Sequence, residues 1–324
     1  MLSNELIRSE ESSAQHLTRL FPAHISDATR STLIDLCTKT SSNAVEQKQC
    51  ANNLMSYARD FLLRYPQVAE ALFLGQELGG RAKQQRMHDK ALQHYTGRDV
   101  ARGDIWSGAG EHSLSVGMLA EILARRMGLS DAAVARVAIA GGIHDWNKKQ
   151  EMMHMWDAED RLADEGITLS SETINNPAVI AAIRAGHDAA KEKDREGLRE
   201  IGIPDDVIAL AGASRLLDTI GPKTDEELII FFLDHVVSGV RPVDMRKRIR
   251  GAVNSNPLLY TAYENSFRDQ LGGSTAHELM LGDMGERIQR RIADRIGYTG
   301  DPQLFHDYLA DLFIDAVCAN TSRT

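Results

Sequence analysis

An adjacent histidine and aspartate are the first residues of this sequence that could do chemistry. His144 and Asp145 directly follow AIAGGI, an apolar run of small residues. Burying an imidazole beside a carboxylate at the end of such a run costs several kcal/mol unless each group is paired or bound to a metal ion. The same dipeptide recurs at His88-Asp89, His187-Asp188 and His306-Asp307, so its neighbours must decide. Other reactive patterns are missing. Cys37, Cys50 and Cys318 are odd in number and lack CxxC spacing, which specifies neither a disulfide framework nor a zinc ribbon; they read as reduced. Gly108 and Gly110 in WSGAGEH lack the GK[ST] and the preceding β-run of a phosphate-cradling loop.

The elements that must position His144 and Asp145 are helices. Of 324 residues, 43% are hydrophobic and only 6% aromatic, with many Ala, Leu, Arg, Glu and Met, a composition that favours packed helices over sheets. The predicted fold class is all-α. Leu54, Tyr57, Ala58, Phe61 and Leu62 fall on one helix face. Residues 1–95 therefore read as an N-terminal helical extension or subdomain, and 96–324 as the main helical domain. Between Gln84 and Gly110 periodicity fades, and His88 and His94 sit in what reads as an exposed polar linker. Periodicity returns over Glu111–Met127 with a stop at Gly128, and a further helix opens at Ser130 and runs into Ile143-His144-Asp145. Helices are also predicted over 177–190, 205–219, 225–239, 241–251, 275–296 and 302–318. KEKDRE at 191–196 reads as a solvated connection.

EHSLSVGMLAEILARRMGLS supplies His112 and AIAGGIHDWNKK supplies His144, Asp145 and Lys148. In order and residue types these two segments resemble the first His and the HD pair of the HD-domain superfamily of metal-dependent phosphohydrolases. FFLDHVVSGVRPVDMRKR is similar to the family's distal element and nominates Asp234. ALAGASRLLDTI offers Asp218 instead, but the Val-Ser-Gly and Arg that follow Asp234 favour the former. The likeness covers about 110–250 and says nothing of 1–95. It implies an HD-like helical bundle and a metal site of His112, His144, Asp145 and Asp234. Two imidazoles and two carboxylates would suit Mn, Mg, Co, Ni or Fe as divalent ions. Adjacent helical residues splay by about 100°, so His144 and Asp145 reach one ion only if the helix ends there, and Trp146-Asn147 is compatible with such an end.

The likeness further implies a phosphate ester as substrate, such as a nucleotide, with Asp145 and Lys148 in catalysis. His187 closes VIAAIRAGHDAA, where the family often places two histidines of a second metal position; Gly186 stands at the first of them. His187 is assigned to the pocket as a phosphate contact or proton donor, with a surface or core-capping histidine as the other reading. The competing functions are an HD-type di-iron oxygenase and a non-catalytic sensor or scaffold. With 37 basic against 46 acidic residues the net charge is −9, which argues against nucleic acid or an anionic membrane as partner. Helical spacing also spreads Arg246, Lys247, Arg248 and Arg250 around their axis. A homo-oligomer stays open. Met152, Met153 and Met155 read as core filling, and Asn320-Thr321-Ser322 as a polar tail. The N-terminus lacks an apolar h-region and no apolar run approaches ~20 residues, so the expected location is cytoplasmic.

Overall fold

The computed structural model describes residues 44–72, 74–75, 109–214, 221–255 and 257–321. His88, His94, Cys37, Asp218 and the boundary at residue 95 lie outside them. The all-α class holds. The elements are α1 (Ala44–Arg64), helical residues 66–72, α2 (Ala109–Arg126), α3 (Asp131–Ile143), α4 (Lys148–Asp164), α5 (Pro177–Glu200), α6 (Asp205–Gly212), α7 (Asp225–Val236), a two-residue hairpin of β1 (Val237–Ser238) and β2 (Arg241–Pro242), α8 (Met245–Ser255), α9 (Pro257–Asn265), α10 (Ala276–Leu281), α11 (Asp283–Ile296) and α12 (Phe305–Thr321).

Helices α2 and α3 form an antiparallel hairpin because the turn between them is chemically specified. Gly128 takes φ 74°, a left-handed conformation that closes α2. Ser130 then caps α3 by accepting from the Ala133 amide. The pair packs backbone to backbone: a Cβ on Gly117 would lie 2.9 Å from the Gly142 Cα, and one on Gly141 would lie 3.1 Å from the Gly117 Cα. Helix α7 is held at its start by a capping box between Thr224 and Glu227. Leu228 through Leu233 are all fully buried, so α7 is apolar all round and runs through the centre of the core.

A second, smaller core gathers Ala158, Leu162, Leu169, Val179, Ile183 and Ala262 from α4, the connection to α5, α5 itself and α9. Several sequence expectations shift here. KEKDRE continues inside α5, where Arg195 pairs with Glu192 one turn away; exposed charges of both signs support a helix as readily as a connection. The helix predicted over 225–239 ends at Val236, and Gly239, at φ 60°, turns the hairpin. The one predicted over 275–296 is broken at Gly282. Cys50 is disulfide-bonded, contrary to three reduced thiols, and Cys318 keeps its thiol. No helix among the described residues is long and apolar enough to cross a membrane.

Helix α1 is fastened to α2 through one buried carboxylate. Glu121 accepts from Arg64 at 2.8 Å, Arg125 at 3.2 Å, and the Tyr57 and Tyr65 hydroxyls at 3.3 and 3.2 Å. Burial, then the Glu121 charge, push the Tyr57 phenol up, so it remains a donor. Both arginines are more than a third exposed, which leaves the buried phenols as the costly partners to orphan. Glu121→Ala is expected to cost roughly 2–4 kcal/mol in urea denaturation, and Glu121→Gln, which keeps the shape, less; equal loss in both would show that charge alone matters.

Candidate metal centre

The glycine contact between α2 and α3 brings two histidines together. His112 lies on the first turns of α2 and His144 just past the end of α3, and their Nε2 atoms stand 3.3 Å apart. The α3 helix stops at Ile143, and residues 144–147 form a turn in which Trp146 N–H donates to the Ile143 carbonyl and Lys148 N–H to that of Asp145. This is the helix end that two adjacent ligands require. The end of central helix α7 adds Asp234, whose Oδ1 lies 3.1 Å from His112 Nε2 and 3.3 Å from His144 Nε2. Asp145 Oδ2 is 4.0 Å from His144 Nε2.

His112, His144, Asp145 and Asp234 thus offer one ligand atom each, all within 4.8 Å of one another, a group able to hold a metal ion. The separations suit one: bonds of about 2.1 Å in octahedral geometry place cis donors about 3.0 Å apart and trans donors about 4.2 Å apart. Ring orientation suits it too. His144 Nδ1 lies 2.7 Å from the Gly141 carbonyl, which can only accept, so Nδ1 keeps a proton and Nε2 is the nitrogen left to bind a metal ion once its own proton is displaced. His112 Nδ1 is buried with no hydrogen-bond partner, so that ring is held by packing and its Nε2 contacts. The imidazoles are the buried floor, with side chains 6% and 0% exposed, while Asp145 and Asp234 at 14% and 23% face outward.

Charge at the cluster is closely shared. Burial pushes Asp234 up, but hydrogen bonds from His112 and His144 outweigh it and hold the carboxyl well below the usual range. Asp145 is also held low: Lys148, whose Nζ is 3.5 Å away, and then His144 outweigh its burial. Burial likewise pulls His144 down, yet Asp145, Asp234 and the Gly141 carbonyl leave it raised. His112 is lowered, chiefly by burial. A proton on His144 therefore fills the place between two carboxylates that a cation would take.

Residues remote in sequence support the turn. A Cβ at Gly75 would lie 1.8 Å from the Trp146 carbonyl oxygen, one at Gly142 would lie 2.6 Å from a Val68 methyl, and one at Gly197 would meet the Trp146 ring at 2.7 Å. Asn147 Nδ2 donates to Asp194 at 2.7 Å. Sequence reasoning missed this support, although a glycine inside an otherwise helical SVGMLA, costing about 1 kcal/mol against Ala, was a visible sign of close approach.

Lys148 is placed at the cluster through Asp145. His187 is not brought into it: it is buried on α5, with Nε2 3.3 Å from the Tyr263 hydroxyl and its ring 5.2 Å from that of Phe267. A cavity of about 750 Å³ between α8, α11 and the start of α12 is lined by none of the four. The fold and the site define an all-helical protein with a mixed imidazole and carboxylate cluster suited to a metal ion. The chain matches no protein-family model, no curated protein and no solved structure.

His144→Ala and Asp145→Ala are each expected to abolish metal retention in elemental analysis while circular dichroism shows the helices intact, because three weak donors hold an ion poorly. Loss of folding in both would mark the cluster as structural. Metal must also displace the proton that His144 holds below its raised pKa, whereas His112, pushed down, is already neutral. Calorimetric metal affinity should accordingly rise with pH, by about tenfold per unit, and level off above the His144 pKa. An affinity indifferent to pH there would contradict the assignment.

Proposed function

We propose that this chain is a metal-dependent phosphohydrolase of the HD-domain type, acting on a phosphate ester such as a nucleotide. The observation that carries the reading is the convergence of His112, His144, Asp145 and Asp234 within 4.8 Å, in the chain order H, HD, D. His112 and His144 would be neutral ligands and Asp145 and Asp234 charge-bearing ones, for Mn, Mg, Co, Ni or Fe. A divalent ion there supplies Lewis acidity, lowering the pKa of water and offsetting charge on phosphate.

The chain's own groups do the remainder. His144 is fixed for coordination by its Nδ1 bond to Gly141. Asp145, kept ionised beside Lys148, is an acceptor that can orient the attacking water. Lys148, a point charge about one-third exposed, faces the phosphate oxygens. In the reaction the water oxygen bonds to phosphorus, the ester P–O bond breaks, and the departing alkoxide leaves as the alcohol by taking up the proton that the water releases.

The di-iron oxygenase reading requires further histidines, and the position before His187 holds Gly186 in tight surroundings. A Cβ at Gly186 would already lie 3.1 Å from the His154 carbonyl oxygen and 3.3 Å from the Ala158 methyl. A pure scaffold would have no use for two carboxylates aimed at two imidazoles. A soluble, cytoplasmic setting with a small phosphorylated substrate fits this reading.

The test is turnover of a panel of phosphate esters by protein purified without chelator or affinity nickel. Activity should survive under nitrogen, be supported by Mg²⁺ or Mn²⁺ at about one ion per chain, and fall in Lys148→Ala chiefly for phosphorylated substrates. A requirement for O₂ and iron would reject it in favour of the oxygenase.

A further inference from the structure

The basic stretch after Asp234 resolves into residues with separate tasks. Arg246 pairs with Glu286 at 2.7 Å on the outer face of α8. Arg248 turns inward: its Nε donates to the Val237 carbonyl at 2.9 Å, three residues past Asp234. This guanidinium is partly buried, has no carboxylate partner among the described residues, and keeps both terminal nitrogens unused. A fork of that kind matches two oxygens of a phosphate or carboxylate.

Two imidazoles flank it. His235 directly follows Asp234 and donates from Nδ1 to the Phe231 carbonyl at 2.7 Å. His277 opens α10, which packs on α8; its ring centroid is 5.9 Å from that of Tyr260 and its Nδ1 is 3.5 Å from Glu264. Burial, then the nearby His235 and Arg248, hold His277 down to about 4. Burial pushes Glu264 up, and its other oxygen accepts the His277 backbone N–H. The bond to Val237 holds Arg248 at the strand that directly follows the Asp234 end of α7, which puts the group beside the metal centre. A half-buried cation without an acid, next to an imidazole that burial keeps unprotonated, lacks one negative charge.

We propose that Arg248 and His277 form an oxyanion subsite next to the metal centre, which takes a phosphate group of the substrate other than the one attacked. The substrate class is then an ester or anhydride with at least two phosphates. The identity of the occupant rests on the phosphohydrolase reading; the existence of the subsite does not.

The experiment is an imidazole NMR titration of the full chain, stripped of metal by chelator, with inorganic phosphate as probe. Saturating phosphate should raise the His277 pKa by about one pH unit, a tenfold change, by opposing the Arg248 field, and Arg248→Gln should abolish the rise. An unmoved His277, or the same rise in Arg248→Gln, overturns the proposal. In turnover assays Arg248→Gln should raise KM about tenfold for substrates with two phosphates while a monophosphate ester and the metal content stay unchanged. Arg248→Lys, which keeps the charge, should recover part of that KM; no recovery, or loss of metal in Arg248→Gln, would make Arg248 a helix-end cap and overturn the subsite. Absence of any metal-dependent turnover would reject the phosphohydrolase reading alone, since the phosphate titration decides the subsite without it.

Discussion

The contact of Gly117 with Gly142 is the constraint on which the centre depends. A side chain at Gly117, or at Gly141 facing it, would press α2 and α3 apart, and the two Nε2 atoms that stand 3.3 Å apart would separate with them. Helix stability is given up for this: each glycine inside a helix costs about 0.5–1 kcal/mol relative to alanine. The approach it permits also lets Asp234, on a helix packed against both partners, reach both imidazoles with one oxygen. The electrostatics follow from that geometry. Two carboxylates and two imidazoles compressed to such distances cannot each titrate freely, and the shared proton at His144 is the outcome.

Much of this was legible because it is local. The stop at Gly128, the cap at Ser130 and the end of α3 before Trp146-Asn147 are each written in a few adjacent residues, and they fix how His112 and His144 meet. Asp234 was legible from the Val-Ser-Gly and Arg that follow it, not from the buried helix that carries it. The supports beneath the turn were not. Val68, Gly75 and Gly197 touch it from distances in sequence that no periodicity reports, and a lone glycine does not say which backbone it lets in. The charged half of α5 misled because polarity records exposure rather than conformation. The Val237–Pro242 hairpin was hidden for the opposite reason, since its residues continue the apolar pattern of α7.

The N-terminal helices belong to the same core as the site helices. Val68 lies on Gly142 and Gly75 on the Trp146 carbonyl, while Glu121 anchors Tyr57, Arg64 and Tyr65 to α2. Two ligands, His144 and Asp145, are therefore carried on a turn whose underside is made by residues some seventy positions earlier in the chain. A change in how Val68 and Gly75 pack would be felt at the ligands before it was felt at the substrate.

The two cores also differ in size, and the His144–Asn147 turn lies where they join. Trp146 is rooted in the larger core, while α4, which leaves the turn, buries Ala158 and Leu162 in the smaller one. Local opening free energies follow the apolar surface that each unit buries, so the smaller core is the weaker of the two. The ligand turn takes its rigidity from the larger one, in which Trp146 is buried.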